Sequence, residues 1–235
     1  MFKAFSKGVI SAVLAYSLFA GAGSAFVAAQ AVAVEHTVDI ASLNKYAPLQ
    51  VVGLRDLSQS FPITPSDHRT VDGSFANAVV LRDSSADWIR NLSIIVENHS
   101  TKSISVIEAE MDVPSWQENP SRPHKFIVFH EGQLPEHARV DSSGESIAEQ
   151  SSLTFLIKPG QSAAVPLRQA FAKLSRLAPS QPGSLASIDR VWVRIQRVFF
   201  SDGTLWQGNS YLKPDDSSPG NYTRIMQGEF NSQTN

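Results

Sequence analysis

The sequence predicts an all-β fold, an antiparallel β-sandwich with one short crossing helix at about residues 168–177. Three observations carry that prediction. Past residue 34 the apolar side chains alternate with period two, the pattern of half-buried strands. Asn, Asp, Gly and Pro punctuate these stretches at spacings of about ten residues, as in sandwiches. Only one segment changes to helical spacing.

Leu49 to Leu54 and Ala78 to Leu81 are the first short strands. From Trp88 to Asn98, the residues Trp88, Leu92, Ile94 and Val96 share one face, with Asn91, Ser93 and Glu97 on the other. Asn98 to Lys102 is a polar turn, which brings back a strand in which Ile107, Ala109, Met111 and Val113 alternate with Glu108, Glu110 and Asp112. His124 to His130 and Ser152 to Ile157 are the next strands, the second ending at Lys158-Pro159-Gly160 before Ala163 to Leu167. In Ile188 to Phe200, the longest strand, Val191, Val193, Ile195 and Phe199 line one side. Ser201-Asp202-Gly203 turns it into Thr204 to Trp206, a hairpin whose glycine supplies the positive φ.

Leu167, Phe171, Leu174 and Ala178 are spaced four, three and four apart, which places them on one side of a helix stopped by Pro179. Such a helix crosses between the sheets of an Ig-like sandwich and seals one end of the core, so its apolar stripe is expected to be core packing.

The first 34 residues predict an export signal. Lys3 and Lys7 precede an uncharged, Ala-rich stretch from Gly8 to Val34, and small residues at Ala29, Ala31 and Ala33 offer cleavage points just before Glu35. The stretch is long enough to stay as an anchor, but its Ala and Gly content makes it a weak one, so cleavage is favoured. The expected address is periplasmic or secreted, with membrane contact only through an uncleaved leader. Residues 35–76 are expected to be an irregular lead-in, 77–212 the sandwich, and 213–235 a polar tail.

Composition removes several functions. With 42% hydrophobic and 18% charged residues over 235 positions, the chain is not a disordered polymer. It has no cysteine, so it is no disulfide-stapled miniprotein and must be held by burial alone. Lys plus Arg total 20 against 22 for Asp plus Glu, and removal of the leader takes two lysines more. That balance excludes a nucleic-acid binder.

The stretch NLSIIVENHSTKSISVIEAEMDV resembles strands of exported bacterial Ig-like or FxLYD-type sandwiches, and VWVRIQRVFFSDGTLWQGN resembles a strand-hairpin pair near the C-terminus of other exported bacterial proteins. The resemblance implies a fold and an extracytoplasmic address. It supplies no catalytic residue.

The residues themselves offer few chemistries. His124, His130 and His137 cluster in sequence with Glu131 and Glu136, but His124 and His130 stand about 20 Å apart on one strand, and Pro135 forbids a zinc-protease helix. A loop closing His130 and His137 through Glu131 stays open as a metal geometry, but no metal or cofactor is expected. Gly144-Glu145-Ser146 lacks the closing glycine and the strand-to-helix setting of a nucleophile elbow. Asp215 and Asp216 lack EF-hand spacing. Glu108, Glu110 and Asp112 are expected to form a solvent face that discourages edge pairing. The sequons at Asn91, Asn98 and Asn221 are coincidental in a chain with a bacterial leader.

Aromatic residues give the binding hypothesis. If exposed near one another, Trp116, Trp206 and Tyr211 would stack on a sugar or anchor a protein, whereas Trp88, Trp192 and Trp206 otherwise fill the core. The sequence therefore favours a non-enzymatic interaction or structural module of the periplasm or envelope, with an envelope protein or glycan as partner. The alternatives are a carbohydrate-binding module and, after it, a hydrolase.

Overall fold

The computed structural model describes residues 34–41, 43, 46–56, 59–69, 75–83, 85, 87–116, 126–133, 155–178, 185–215, 217–218 and 221–232. The strands are β1 (Val34–Ala41), β2 (Leu49–Asp56), β3 (Gln59–Pro62), β4 (Thr64–Arg69), β5 (Phe75–Asp83), β6 (Leu92–Asn98), β7 (Ile104–Asp112), β8 (Ile127–Glu131) and β9 (Ser162–Pro166). Helix α1 (Arg168–Leu177) follows, then β10 (Arg190–Phe200), β11 (Leu205–Gln207), β12 (Ser210–Pro214), β13 (Tyr222–Ile225) and helix α2 (Gln227–Ser232). The fold is an all-β sandwich with one short crossing helix.

Two sheets form. The smaller runs β3-β2-β6-β9; the larger runs β13-β12-β11-β10-β1-β5-β4, with β7 on the other side of β10 and β8 beyond it. All pairings are antiparallel except β1 with β10, which run parallel with Val38 opposite Val191. Alternation drives this arrangement. In β6, Leu92, Ile94, Val96 and Asn98 point inward and are buried, while Ser93, Ile95 and Glu97 are half-buried. They meet Val191, Val193, Ile107, Ala109 and Met111 of the larger sheet in one core. Each fully buried aliphatic side chain contributes roughly 1.5 to 3 kcal/mol of burial, which is how a cysteine-free chain holds two sheets together.

Helix α1 occupies the span that its periodicity predicts. Leu167 and Leu174 are fully buried, and the helix leaves the edge strand β9 to pack on β8 of the other sheet and on the turn at Trp88. Lys173 Nζ donates to the Val128 carbonyl at 2.9 Å, tying the helix to that edge.

Several expectations are corrected. The presumed lead-in carries β1 to β4 and the start of β5; β1 lies inside the larger sheet, hydrogen-bonded on both sides. The presumed tail carries the end of β12 and all of β13 and α2. Trp88 and Ile89 are both buried, which consecutive residues of a one-face strand cannot be; Trp88–Asn91 is a 3-10 turn and the strand begins at Leu92. In β10 the register slips between Ile195 and Arg197, so the bulge at Gln196 turns Val198 to the core and Phe199 away from it. Phe199 packs instead with Val106 and Leu205 on the opposite face. Of the stretch from Ser152 to Ile157, the described part is not a strand, but Ile157 exchanges two 2.9 Å backbone hydrogen bonds with Ile104. Gly203 has φ 84°, as the hairpin requires.

No helix among the described residues is long and apolar enough to cross a membrane; residues 1–33 of the expected leader lie outside them.

Candidate functional site

The expected aromatic platform is not assembled. Trp206 and Tyr211 are cross-strand partners, but both point inward, 3% and 7% exposed, in a row that runs Ile107, Val198, Trp206, Tyr211, Ile225 across five strands. Trp206 therefore offers no ring face to a ligand. Trp116 lies in the 3-10 turn Pro114–Trp116, half-buried against the core, and its Nε1 is buried without a hydrogen-bond partner among the described residues. The structure brings Trp206 and Tyr211 together and leaves Trp116 apart from that row. Trp88 is also core, its Nε1 donating to the Ile188 carbonyl at 3.1 Å and its ring stacked on buried His36.

Tyr211 nonetheless reaches a surface groove of about 600 Å³. Two sequence features build it. Gly208 (φ 53°) and Asn209 (φ 64°) are the two central residues of a tight turn joining β11 to β12, both with the positive φ that a type I′ hairpin demands. β13 then pairs with β12, placing Ile225 opposite Tyr211. The Tyr211 hydroxyl donates to the Tyr46 carbonyl at 3.2 Å, and burial raises its pKa above the ordinary 10.0. Tyr46 (56% exposed) and Met226 (79%) stand over this floor, with Arg224 and Glu229 at the rim. Neither Tyr46 nor Met226 was singled out by sequence reasoning; the Gly-Asn pair between two apolar-bearing strands was the signal that could have found the hairpin.

A second cleft, about 470 Å³, opens between the sheets at the other end, among Glu35, Asp56, Phe61, Arg82, Asp83 and Trp88. Arg82 holds Glu35 there through Nε at 3.1 Å and Nη2 at 2.9 Å, and Asp83 Oδ1 accepts from the Ser85 amide.

The carboxylates of β7 are not a solvent face. Glu108 is 4% exposed and Asp112 5%. The register sets Glu108 opposite Arg197 and Glu110 opposite Arg194, and each arginine grips its carboxylate with two hydrogen bonds. Arg190 Nε lies 2.7 Å from Asp39, which is fully buried, in an ion pair without hydrogen-bond alignment. Alternating charges on neighbouring strands thus interlock across the outer face of the sheet, where a lone carboxylate would be costly. His130 is buried on β8, opposite Glu108. His124, Glu136, His137 and Ser146 lie outside the described residues, and no group among the described residues could hold a metal ion. Asn98 is fully buried, with Nδ2 donating to the carbonyls of Lys102 and Ile157, both at 2.8 Å, which gives this sequon asparagine a structural task.

Comparison with protein-family models, with curated proteins and with solved structures returned no match to this chain.

Proposed function

We propose that this chain is an exported, non-enzymatic interaction module of the periplasm or cell envelope, and that its partner is a protein seated in the groove beside the Gly208-Asn209 hairpin. The observation that carries the reading is the pairing of exposed Met226 and Tyr46 with the Tyr211–Ile225 floor. Tyr, Met and Arg are the side chains that protein interfaces favour, and the flexible thioether adapts to irregular apolar surfaces. A glycan would call for a broad ring platform, and of the two described aromatics lining the groove, Tyr46 is exposed and Tyr211 is buried. The leader-like first 34 residues and the resemblance to exported Ig-like sandwiches support the address.

The test is site-specific photocrosslinking in bacteria expressing the full chain, with the crosslinker at Asn209 in the groove or at Gln207 beside it. A protein adduct in the envelope fraction that forms from Asn209 and is abolished by Tyr46→Ala supports the reading. Equal labelling from both positions, or glycan-array binding lost on Tyr46→Ala, overturns it. Retention of the chain in the cytoplasm refutes the address.

A further inference from the structure

We propose that the socket holding Phe230 is a peptide-docking site, now filled in cis by the chain's own C-terminal turn, and that the same segment of a second copy can fill it in trans. The inference goes beyond the groove's partner and does not depend on it.

Among its described residues, helix α2 buries one side chain. Gln227, Gly228, Glu229 and Asn231 are exposed, whereas Phe230 is 1% exposed. Its ring stacks on Tyr211 at 4.2 Å, meets Phe200 at 4.8 Å, and has the Lys102 ammonium 4.4 Å from its centroid. A single helical turn does not sustain itself in water, so this plug is what orders the segment.

The walls of the socket are held without α2. Lys102 Nζ is fixed on Asp202 at 2.6 Å, Tyr211 is tied to Tyr46, and the Phe200 amide donates to the Thr204 carbonyl at 2.9 Å. Removing the plug therefore leaves an aromatic recess capped by a cation, which is a preformed site for another aromatic ring. Orientation comes from Glu229, whose carboxylate lies 3.6 Å from Lys213 on β12. The chemistry recognised is an acidic residue followed by phenylalanine on one helical turn. The chain carries that ligand itself, and exposed Met226 links it to β13, so a second copy is the occupant whose fit is already displayed. Reciprocal exchange of the two turns gives a closed, symmetric dimer.

The experiment uses the full-length chain with Phe230→Ala and a fluorescent peptide with the sequence of residues 224–235. The variant should bind the peptide, the wild-type chain should bind it about tenfold more weakly because its tethered segment competes, and the peptide with Phe230→Ala should lose about tenfold, as expected for a single aromatic anchor. A folded variant that ignores the peptide, or one that binds the peptide lacking the ring equally well, overturns the proposal. Should the variant not fold, the wild-type fold decides. The chain has no cysteine, so separate populations labelled through Asn231→Cys and Asn209→Cys can be mixed. Energy transfer that rises with concentration and falls on adding the peptide supports exchange; its absence up to the solubility limit refutes it.

Discussion

Arg197 lies directly across from Glu108 and holds both of its carboxylate oxygens, Nε on Oε1 at 2.7 Å and Nη2 on Oε2 at 2.5 Å. The pair sits on a face of the larger sheet that alternation marks as polar, yet Glu108 is almost completely removed from solvent.

Arg197→Met strands that carboxylate. The expected loss is about 3 kcal/mol, since a buried charge is left uncompensated, and it is read as a lower urea midpoint. Adding Glu108→Leu to the same chain should restore most of the midpoint. A single variant as stable as wild type would show the pair to be idle.

Asn98→Ala takes one of two donors from each of two buried carbonyls: Lys102 keeps the Ser100 hydroxyl and Ile157 keeps the Ile104 amide. A cost of about 1.5 kcal/mol, two lost hydrogen bonds without a stranded acceptor, is expected in thermal unfolding. Asn98→Asp should fare no better, because an ionised carboxylate cannot donate to either carbonyl.

Acid should weaken the turn that carries Asp202. Burial raises the pKa of this carboxyl, but the Lys102 ammonium and the hydroxyl and amide of Thr204 outweigh it and hold the group below 3.8. With the folded-state value depressed, its stabilisation is complete above pH 4 and is lost as pH falls through the lowered value. Urea unfolding between pH 5 and pH 2 should therefore be less pH-dependent in Asp202→Asn than in wild type. Identical slopes would show that the ammonium contact is not felt.

Two glycines with positive φ should differ sharply. A Cβ on Gly132 would meet the Ser105 carbonyl oxygen at 2.1 Å, and backbone cannot step aside, so Gly132→Ala should cost about 3 kcal/mol or prevent accumulation. At Gly160 nothing lies within 4 Å of the added atom, and Gly160→Ala should cost about 1 kcal/mol of backbone strain alone. Thermal midpoints of the two variants measure the contrast.

Much of the sandwich was legible because β6, β7 and β10 each bury one face against the other sheet, and helix α1 shows a four-three-four stripe. β1 was not, although Val38 and Ile40 alternate with Thr37 and Asp39, because the run is short and abuts the apolar stretch before it, and its polar side gives no sign that Asp39 is buried on Arg190. Alternation also separates two faces without saying which is wet. Glu108 and Glu110 looked solvated for that reason, although the basic residues Arg194 and Arg197 in a prospective neighbour were the available clue. Phe199 was misplaced because one extra residue, Gln196, reverses the phase midway along a strand. Tyr211, expected to be exposed, is buried under the groove as part of its floor, and Tyr46 carries no sequence pattern at all.

The parallel pairing of β1 with β10 sets an order of events. Val38 leaves the ribosome long before Val191, and the middle of the larger sheet stays open until both are present. Such distant partners make assembly slow, on the order of milliseconds to seconds. Until residues 190–193 are made, β1 has only β5 to pair with, so the growing chain carries an open strand edge through most of its synthesis.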